Sequence, residues 1–371
     1  MGRNKDNVSI LGFGCMRLPI LDGKYDQIDI EEAKKQVRYA IDNGVNYIDT
    51  AYPYHGGNSE AFVAKALKDG YREKVFVATK CPSWLVETRE DMDKFLDEQL
   101  QKLETEYIDF YLLHALNKKY WDNYLKLGVF DFIEKALDSG KIKNIGFSFH
   151  DEHKVFEEII NAYEWDFCQI QLNYFDEEYQ AGLKGLKLAA EKGIDVVIME
   201  PLRGGRLAQA PEEIQKLWDS YEEKHTAAGW ALRYLWNKPE VKVVLSGMNN
   251  FDHIKDNIQE ASMAEPDMLF DQEVELIDKA KKIYKSRIKV DCTNCRYCMP
   301  CPNGVNIPGN FAIYNNAWIF DDKEHFKKAY YGQLKEEELA DKCIECGTCE
   351  PLCPQGIEII RELQNVAMYF K

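Results

Sequence analysis

No apolar run in this 371-residue sequence approaches the roughly 18 residues that span a bilayer, so no transmembrane segment is expected. The start, MGRNKDNVSILGFG, lacks the long apolar stretch of a secretory signal. Gly2 invites a myristoylation motif, but Asp6 stands where Ser or Thr is required. Positive charge is in deficit: 47 Lys and Arg against 63 Asp and Glu give a net charge of −16. That balance excludes the basic stripe of a nucleic-acid binder. A soluble, cytoplasmic protein is the expectation. Cysteine is scarce through the first three quarters, where Cys15, Cys81 and Cys168 stand alone. The other eight of eleven fall in two short runs near the C-terminus. In a reducing compartment such runs argue for metal binding over disulfides. With 45% hydrophobic residues, the chain suffices for one core of roughly 250 residues plus a smaller module.

The first run, VDCTNCRYCMPCP, holds Cys292, Cys295, Cys298 and Cys301, and a proline follows. The second, DKCIECGTCEPLCPQG, holds Cys343, Cys346, Cys349 and Cys353, again before proline. C-x2-C-x2-C-x3-C-P is the iron–sulfur spacing of bacterial ferredoxins, and its fourth cysteine serves the other cluster. The second run matches in full; the first is one residue short before Cys301. Crossed ligation assigns Cys292, Cys295, Cys298 and Cys353 to one [4Fe–4S] cluster. Cys343, Cys346, Cys349 and Cys301 then hold a second. Zinc sites favour separated cysteine pairs over runs of four. The spacer from 303 to 342 reads as helical, with aromatics at intervals of three and four that pack around the clusters. It resembles the longer-spaced helical ferredoxin modules.

Upstream, apolar runs and helical periods alternate. Eight strand candidates begin at Val8, Tyr47, Val75, Ile108, Asn144, Phe167, Asp195 and Val241. Amphipathic segments such as IEEAKKQVRYAIDNG, TREDMDKFLDEQLQKL, HKVFEEIINAY and LKGLKLAAEKG lie between them. Gly44, Gly70, Gly140 and Gly193 stand where helices end on a left-handed residue. Eight βα units over roughly 260 residues fit a (β/α)8 TIM barrel better than an open doubly wound sheet. The open sheet usually carries G-x-G-x-x-G at its first turn, and LGFGCMR is not that. The expectation is α/β: a barrel over 1–285, then a small, mainly helical ferredoxin-like iron–sulfur domain over 286–371.

Barrel chemistry belongs at the C-terminal ends of the strands. There stand Asp49 after strand two, with Tyr54 in its loop, Lys80 ending strand three and His114 ending strand four. YIDTAYPYHGGNSE, VFVATK and IDFYLLHA resemble the aldo-keto reductase superfamily over residues 8 to 260. That family carries Asp-Thr-Ala-x-x-Tyr after strand two, Lys after strand three and His after strand four. The tail resembles bacterial members fused to a ferredoxin-like domain. The resemblance implies carbonyl reduction. In it Tyr54 is the general acid, its pKa lowered by Lys80. Asp49 keeps Lys80 charged and placed, and His114 orients the carbonyl oxygen. His55 either lines the substrate pocket or is solvated. Trp84 and Trp121 either stack on a substrate or pack on the barrel.

The resemblance also implies a nicotinamide dinucleotide at the same rim. Gly14, Cys15, Met16 and Arg17 then lie near the nicotinamide, and Ser148 and Gln169 hold its carboxamide. Met199 stands where a stacking aromatic is common. Glu200, Pro201, Leu202 and Arg203 face the pyrophosphate. Ser246, Gly247, Asp256 and Asn257 belong to the adenosine end. Phe149 departs from the family's Asn, and Gly247, Met248 and His253 replace its 2′-phosphate grip. NADH, NADPH and another electron source therefore all stay open, with Arg203 or Arg206 as substitute cations. The expected activity is NAD(P)H-linked interconversion of an aldehyde or ketone and an alcohol, with two clusters for electron transfer. A ferredoxin-like partner is expected; nucleic acid and membrane are not. The alternative is an electron-transfer or redox-sensing iron–sulfur protein on a barrel scaffold.

Overall fold

The computed structural model of the chain describes residues 7–371; Gly2 and Asp6 lie outside the described residues. Eight parallel strands close a barrel in chain order: β1 (Leu11–Gly14), β2 (Tyr47–Asp49), β3 (Phe76–Cys81), β4 (Ile108–Leu116), β5 (Ile142–Phe149), β6 (Phe167–Gln171), β7 (Asp195–Met199) and β8 (Val241–Ser246). Each strand candidate appears, and β1 returns to pair with β8. Among the described residues, closure leaves no barrel strand edge exposed, which an open doubly wound sheet would have.

The helices form where the 3.6-residue period places apolar residues on one side. Ile30–Asp42 buries Ala33, Val37, Ala40 and Ile41 toward the strands. Asp29 caps its first turn through Glu32 N. Arg89–Lys102 starts with a capping box between Thr88 and Asp91. Gly44, Gly70, Gly140 and Gly193 all take positive φ after their helices, as their positions imply.

The barrel interior is filled by Tyr47, Ala78, Phe110, Leu112, Phe167, Val197, Val243 and Leu245. Gly146 is needed where β5 meets β6. A Cβ there would lie 2.5 Å from the Phe167 carbonyl oxygen and 2.7 Å from its ring.

Two compact units emerge. One runs to Ala208 and includes His225–Val274; the other comprises Gln209–Lys224 and Glu275–Lys371. The second is helical, with Ile307–Ile319, Lys323–Gln333 and Ile359–Phe370. Phe311 and Tyr330 of the spacer are buried, and Tyr330 stacks on Phe370 of the C-terminal helix at 4.6 Å. Asn310 Nδ2 donates to the Glu338 carbonyl at 2.8 Å, and Asn303 Nδ2 to the Lys342 carbonyl at 2.6 Å. These bonds tie the end of the first cysteine run to the start of the second. Among the described residues, no helix is long and apolar enough to cross a membrane.

Gly146→Ala forces the β5–β6 contact apart. We expect a loss of about 2 kcal/mol of barrel stability, read as a lower urea midpoint by circular dichroism.

Candidate functional site

The site begins with an ion pair. Asp49 ends β2 and Lys80 sits one residue before the end of β3, with Asp49 in register with Ala78. The alternation of β3 turns Ala78 and Lys80 to the same side, so the ammonium reaches Asp49. Lys80 Nζ donates to both Asp49 oxygens at 2.8 Å and to the Thr50 carbonyl at 2.8 Å. Both residues are buried. Burial alone pulls the Lys80 pKa down, but the Asp49 carboxylate and Tyr54 outweigh it, and the ammonium persists. Burial pushes the Asp49 carboxyl up, opposed by Lys80.

Tyr54 opens the short 3-10 turn Tyr54–Gly57, and its N–H donates to the Ala51 carbonyl. Lys80 Nζ lies 5.1 Å from the Tyr54 ring centroid. The sequence leads one to expect a Tyr54 pKa below the ordinary value. The structure gives the opposite sign: burial raises it, Lys80 pulls it down less strongly, and Asp49 pushes it up again. At neutral pH the phenol keeps its proton.

His114 reaches the site through an irregularity in β4. The pairing with β5 shifts register between Leu113 and Leu116, and Ala115 takes φ +53°. Such a bulge re-aims a side chain at the end of a strand. Two serines hold it. Ser83 Oγ donates to the His114 carbonyl at 2.5 Å, and Ala115 N donates to Ser148 Oγ at 2.7 Å. Tyr124 OH donates to Ser83 Oγ at 3.1 Å. The His114 ring lies 6.3 Å from Tyr54 and 5.1 Å from Trp84, centroid to centroid. Burial lowers its pKa well below the ordinary value, and Lys80 and His150 add to that, so the imidazole is neutral.

These groups border a cavity of about 360 Å³, within the range that holds small ligands. Asp49, Tyr54 and His114 line it, with Gly14, Met16, Arg17, Ser148, Gln169, Met199, Pro201, Leu202, Ser246 and Gly247. Lys80 lies buried behind Asp49 and is not in the lining, and four predicted nucleotide contacts are not in it either. Cys15 is fully buried. Arg203 pairs with Asp176 at 3.1 Å and lies over the Phe175 ring. Asp256 accepts from Thr226 Oγ1 at 2.7 Å, and Asn257 Nδ2 donates to Ser246 Oγ at 2.8 Å.

His55 is neither pocket lining nor solvated. It is buried, accepts from Leu18 N at 3.3 Å through Nε2 and meets the Tyr25 carbonyl through Nδ1 at 2.7 Å. That pattern fixes the Nδ1–H tautomer. Trp121 is core, against Phe130 and Trp165. Glu200 lines the cavity too, and sequence reasoning missed His150, which lies in the same lining. Alternation along β5 was the signal: Ser148 faces in, Phe149 is buried against Phe156, and the next residue faces in again.

The eight clustered cysteines surround two small cavities. Cys292, Cys295, Cys298 and Cys353 line one, and Cys298, Cys301, Cys343, Cys346 and Cys349 the other. Each run thus sends its last cysteine to the cavity bordered by the other run. Ile307 borders both. Burial raises the Cys292, Cys298 and Cys349 thiols, the last to about 11. Among the described residues, no three His, Cys, Asp or Glu side chains converge as ligands of a single metal ion.

Residues 10–282 match the aldo/keto reductase family, and residues 291–358 match the 4Fe-4S dicluster domain. The uncharacterized oxidoreductase YqkF of Bacillus subtilis is 25% identical over 77% of this chain and 97% of its own length. Probable aldo-keto reductase 1 of Glycine max is 32% identical, over 40% of this chain and 43% of the relative. An aldo-keto reductase from Bacillus halodurans, solved in its holo form, superposes with a TM-score of 0.62. It is 27% identical and covers 75% of this chain and 94% of its own. The closed barrel with its site at the strand ends and the cysteine-rich C-terminal unit thus agree with the matches: the chain belongs to the aldo/keto reductase family and carries a C-terminal 4Fe-4S dicluster domain.

Proposed function

We propose that the barrel interconverts an aldehyde or ketone and the corresponding alcohol with NAD(P)H, using Tyr54 as the proton donor. The buried Lys80–Asp49 pair beside a protonated Tyr54, with Asp49 and Tyr54 lining one cavity, is the observation that carries this reading. Two features fit a nicotinamide carboxamide. The Gln169 Oε1 acceptor is buried with no hydrogen-bond partner among the described residues. The Ser148 hydroxyl accepts from Ala115 N and keeps its own proton to donate. A reduced nicotinamide, when bound, supplies the hydride to the carbonyl carbon.

The chain's own residues handle the oxygen. Tyr54 OH gives its proton to the oxygen as the C–O bond becomes a hydroxyl. Lys80, held on Asp49, stabilises the phenolate left behind. Neutral His114 offers an N–H to the same oxygen and orients it without competing for the proton. In the reverse direction the phenolate takes the proton back.

The two cysteine-lined cavities suit two [4Fe–4S] clusters under crossed ligation. Cys292, Cys295, Cys298 and Cys353 would hold one; Cys343, Cys346, Cys349 and Cys301 the other. Thiolates are the donors such clusters require, and each cluster, when bound, carries one electron at a time. A ferredoxin-like electron partner and a cytoplasmic setting accompany this reading.

Tyr54→Phe should abolish carbonyl reduction while nucleotide affinity, measured by fluorescence titration, stays near that of the wild type. Survival of activity refutes the assignment. The protonated phenol is the active form, and its pKa is raised. The kcat for reduction should therefore stay flat through neutral pH and fall only above the ordinary tyrosine value of about 10. An alkaline limb near neutrality would contradict it.

Ser83 acts through His114 and is a positioning residue. Ser83→Ala should lower kcat by up to about tenfold, the worth of one hydrogen bond, and leave nucleotide Kd unchanged. The His114 imidazole resonances should move with it in NMR spectra.

For the C-terminal unit, wild type should hold about eight irons per chain. Cys353→Ala should lose about four, with the remaining signal belonging to the cluster on Cys343, Cys346 and Cys349. Full iron content in the variant would rule out the crossed arrangement.

A further inference from the structure

Tyr54 is followed by three residues with left-handed backbone: His55 (φ +53°), Gly56 (φ +63°) and Gly57 (φ +93°). Glycine takes that region freely, whereas a larger side chain there persists only when its surroundings hold it. The His55 ring is so held. It is buried, with Leu18 N donating to Nε2 at 3.3 Å and Nδ1 donating to the Tyr25 carbonyl at 2.7 Å. The Tyr25 ring stacks on it at 4.7 Å, with 19° between the planes. Only a neutral imidazole accepts at one nitrogen while it donates at the other. Burial lowers the His55 pKa and outweighs its backbone contacts, so the neutral form prevails at neutral pH.

Both partners of the ring belong to the segment after β1. Met16 and Arg17 of that segment line the cavity. The chain then turns through a small hairpin, in which Ile20 bridges Ile28 and Leu21 N donates to the Gln27 carbonyl at 2.8 Å. The residues just beyond His55 grip the same segment. Asn58 Nδ2 donates to the Asp26 carbonyl at 2.9 Å, and Ser59 Oγ to the Cys15 carbonyl at 3.2 Å. A Cβ added at Gly56 would stand 3.2 Å from Asp26 Cβ. Residues 55–59 are thus laced to the segment after β1, and Tyr54 stands directly before them.

The His55 tie is the one adjacent in sequence to the phenol. On its other side Tyr54 is fixed by its own N–H, which donates to the Ala51 carbonyl at 3.1 Å. With the ring removed, two glycines follow and the loop loses its stiffest member, so Tyr54 can pivot about the Ala51 contact. Tyr25, which His55 holds in place, is also felt at the phenol. Burial is the main cause of the raised Tyr54 pKa, and Tyr25 is one of the lesser ones.

We propose that His55 is a positioning residue for the proton transfer: by clamping the hairpin after β1 to the loop of Tyr54, it sets where the phenol oxygen stands in the cavity. The assignment rests on the carbonyl-reduction reading above. His55 touches no reacting atom and acts only through Tyr54. Misplacing a reacting group by about 1 Å is enough to cost roughly a hundredfold in rate.

The test compares wild type, His55→Gly and His55→Asn as full chains, reducing 4-nitrobenzaldehyde with NADPH and with NADH. His55→Gly removes the ring and keeps a residue at ease with φ +53°. His55→Asn also tolerates that region and offers an amide N–H close to where Nδ1 stands. Both variants should keep the wild-type circular dichroism spectrum. His55→Gly should lower kcat by roughly tenfold to a hundredfold, while nucleotide Kd, by fluorescence titration, stays within about twofold of wild type. His55→Asn should recover part of the lost kcat through the Tyr25 contact. Wild-type kcat in His55→Gly overturns the proposal, and so does a His55→Asn enzyme no faster than His55→Gly. A nucleotide Kd that rises in step with the fall in kcat overturns it too, because His55 would then support the rim as a whole. Wild type that reduces the aldehyde with neither nucleotide overturns the carbonyl-reduction reading itself, and the proposal with it.

Discussion

A lysine ammonium buried inside a protein is sustained only by what surrounds it, and at this barrel's centre that is Asp49 and the Thr50 carbonyl. Removing one partner from a buried pair costs roughly 3–5 kcal/mol, because the other charge is left uncompensated. The pair therefore fixes where β2 may end relative to β3. It also fixes the field felt by Tyr54. Burial favours the protonated phenol, and the ammonium limits how far that preference goes. A phenol that holds its proton until a negative oxygen forms beside it is suited to deliver that proton late.

Around this pair the supporting structure is polar and buried rather than apolar. Behind β3, Glu60 accepts from Thr79 Oγ1 at 2.7 Å and from Gln99 Nε2 at 2.6 Å. Gln99 in turn accepts from Tyr111 OH at 2.8 Å and donates to the Lys80 carbonyl at 3.0 Å. The backbone of Lys80 is thus held from the helix side while its ammonium is held from the barrel side. Such a network is stable when its members are paired, and it leaves the lysine little freedom to wander.

Much of this was legible beforehand because parallel strands buried on both faces read as short apolar runs. Eight such runs, each followed by a helical period, leave few topologies, and the strand ends then name Asp49, Lys80 and His114. What could not be read depends on contacts distant in sequence. His55 follows Tyr54 and resembles a pocket residue, yet Leu18 N and the Tyr25 carbonyl hold it in the interior. The hydrogen bonds of Asp256 and Asn257 to Thr226 and Ser246 are likewise not written in the local sequence. The bond from Ser83 to the His114 carbonyl spans 31 residues and carries no local signature. The sign of the Tyr54 shift required knowing how deeply the ring sits, which spacing does not reveal.

The bulge in β4 carries a consequence for how this sequence can change. Side chains on a strand alternate faces, so the direction of His114 depends on the number of residues between Leu113 and Leu116 as well as on their identity. A one-residue insertion or deletion there would keep every hydrophobic residue of the barrel core and still turn the imidazole away from Tyr54. Point substitutions can tune this site gradually. A length change in that short stretch would switch it off at once, so evolutionary drift here is confined to letters and closed to spacing.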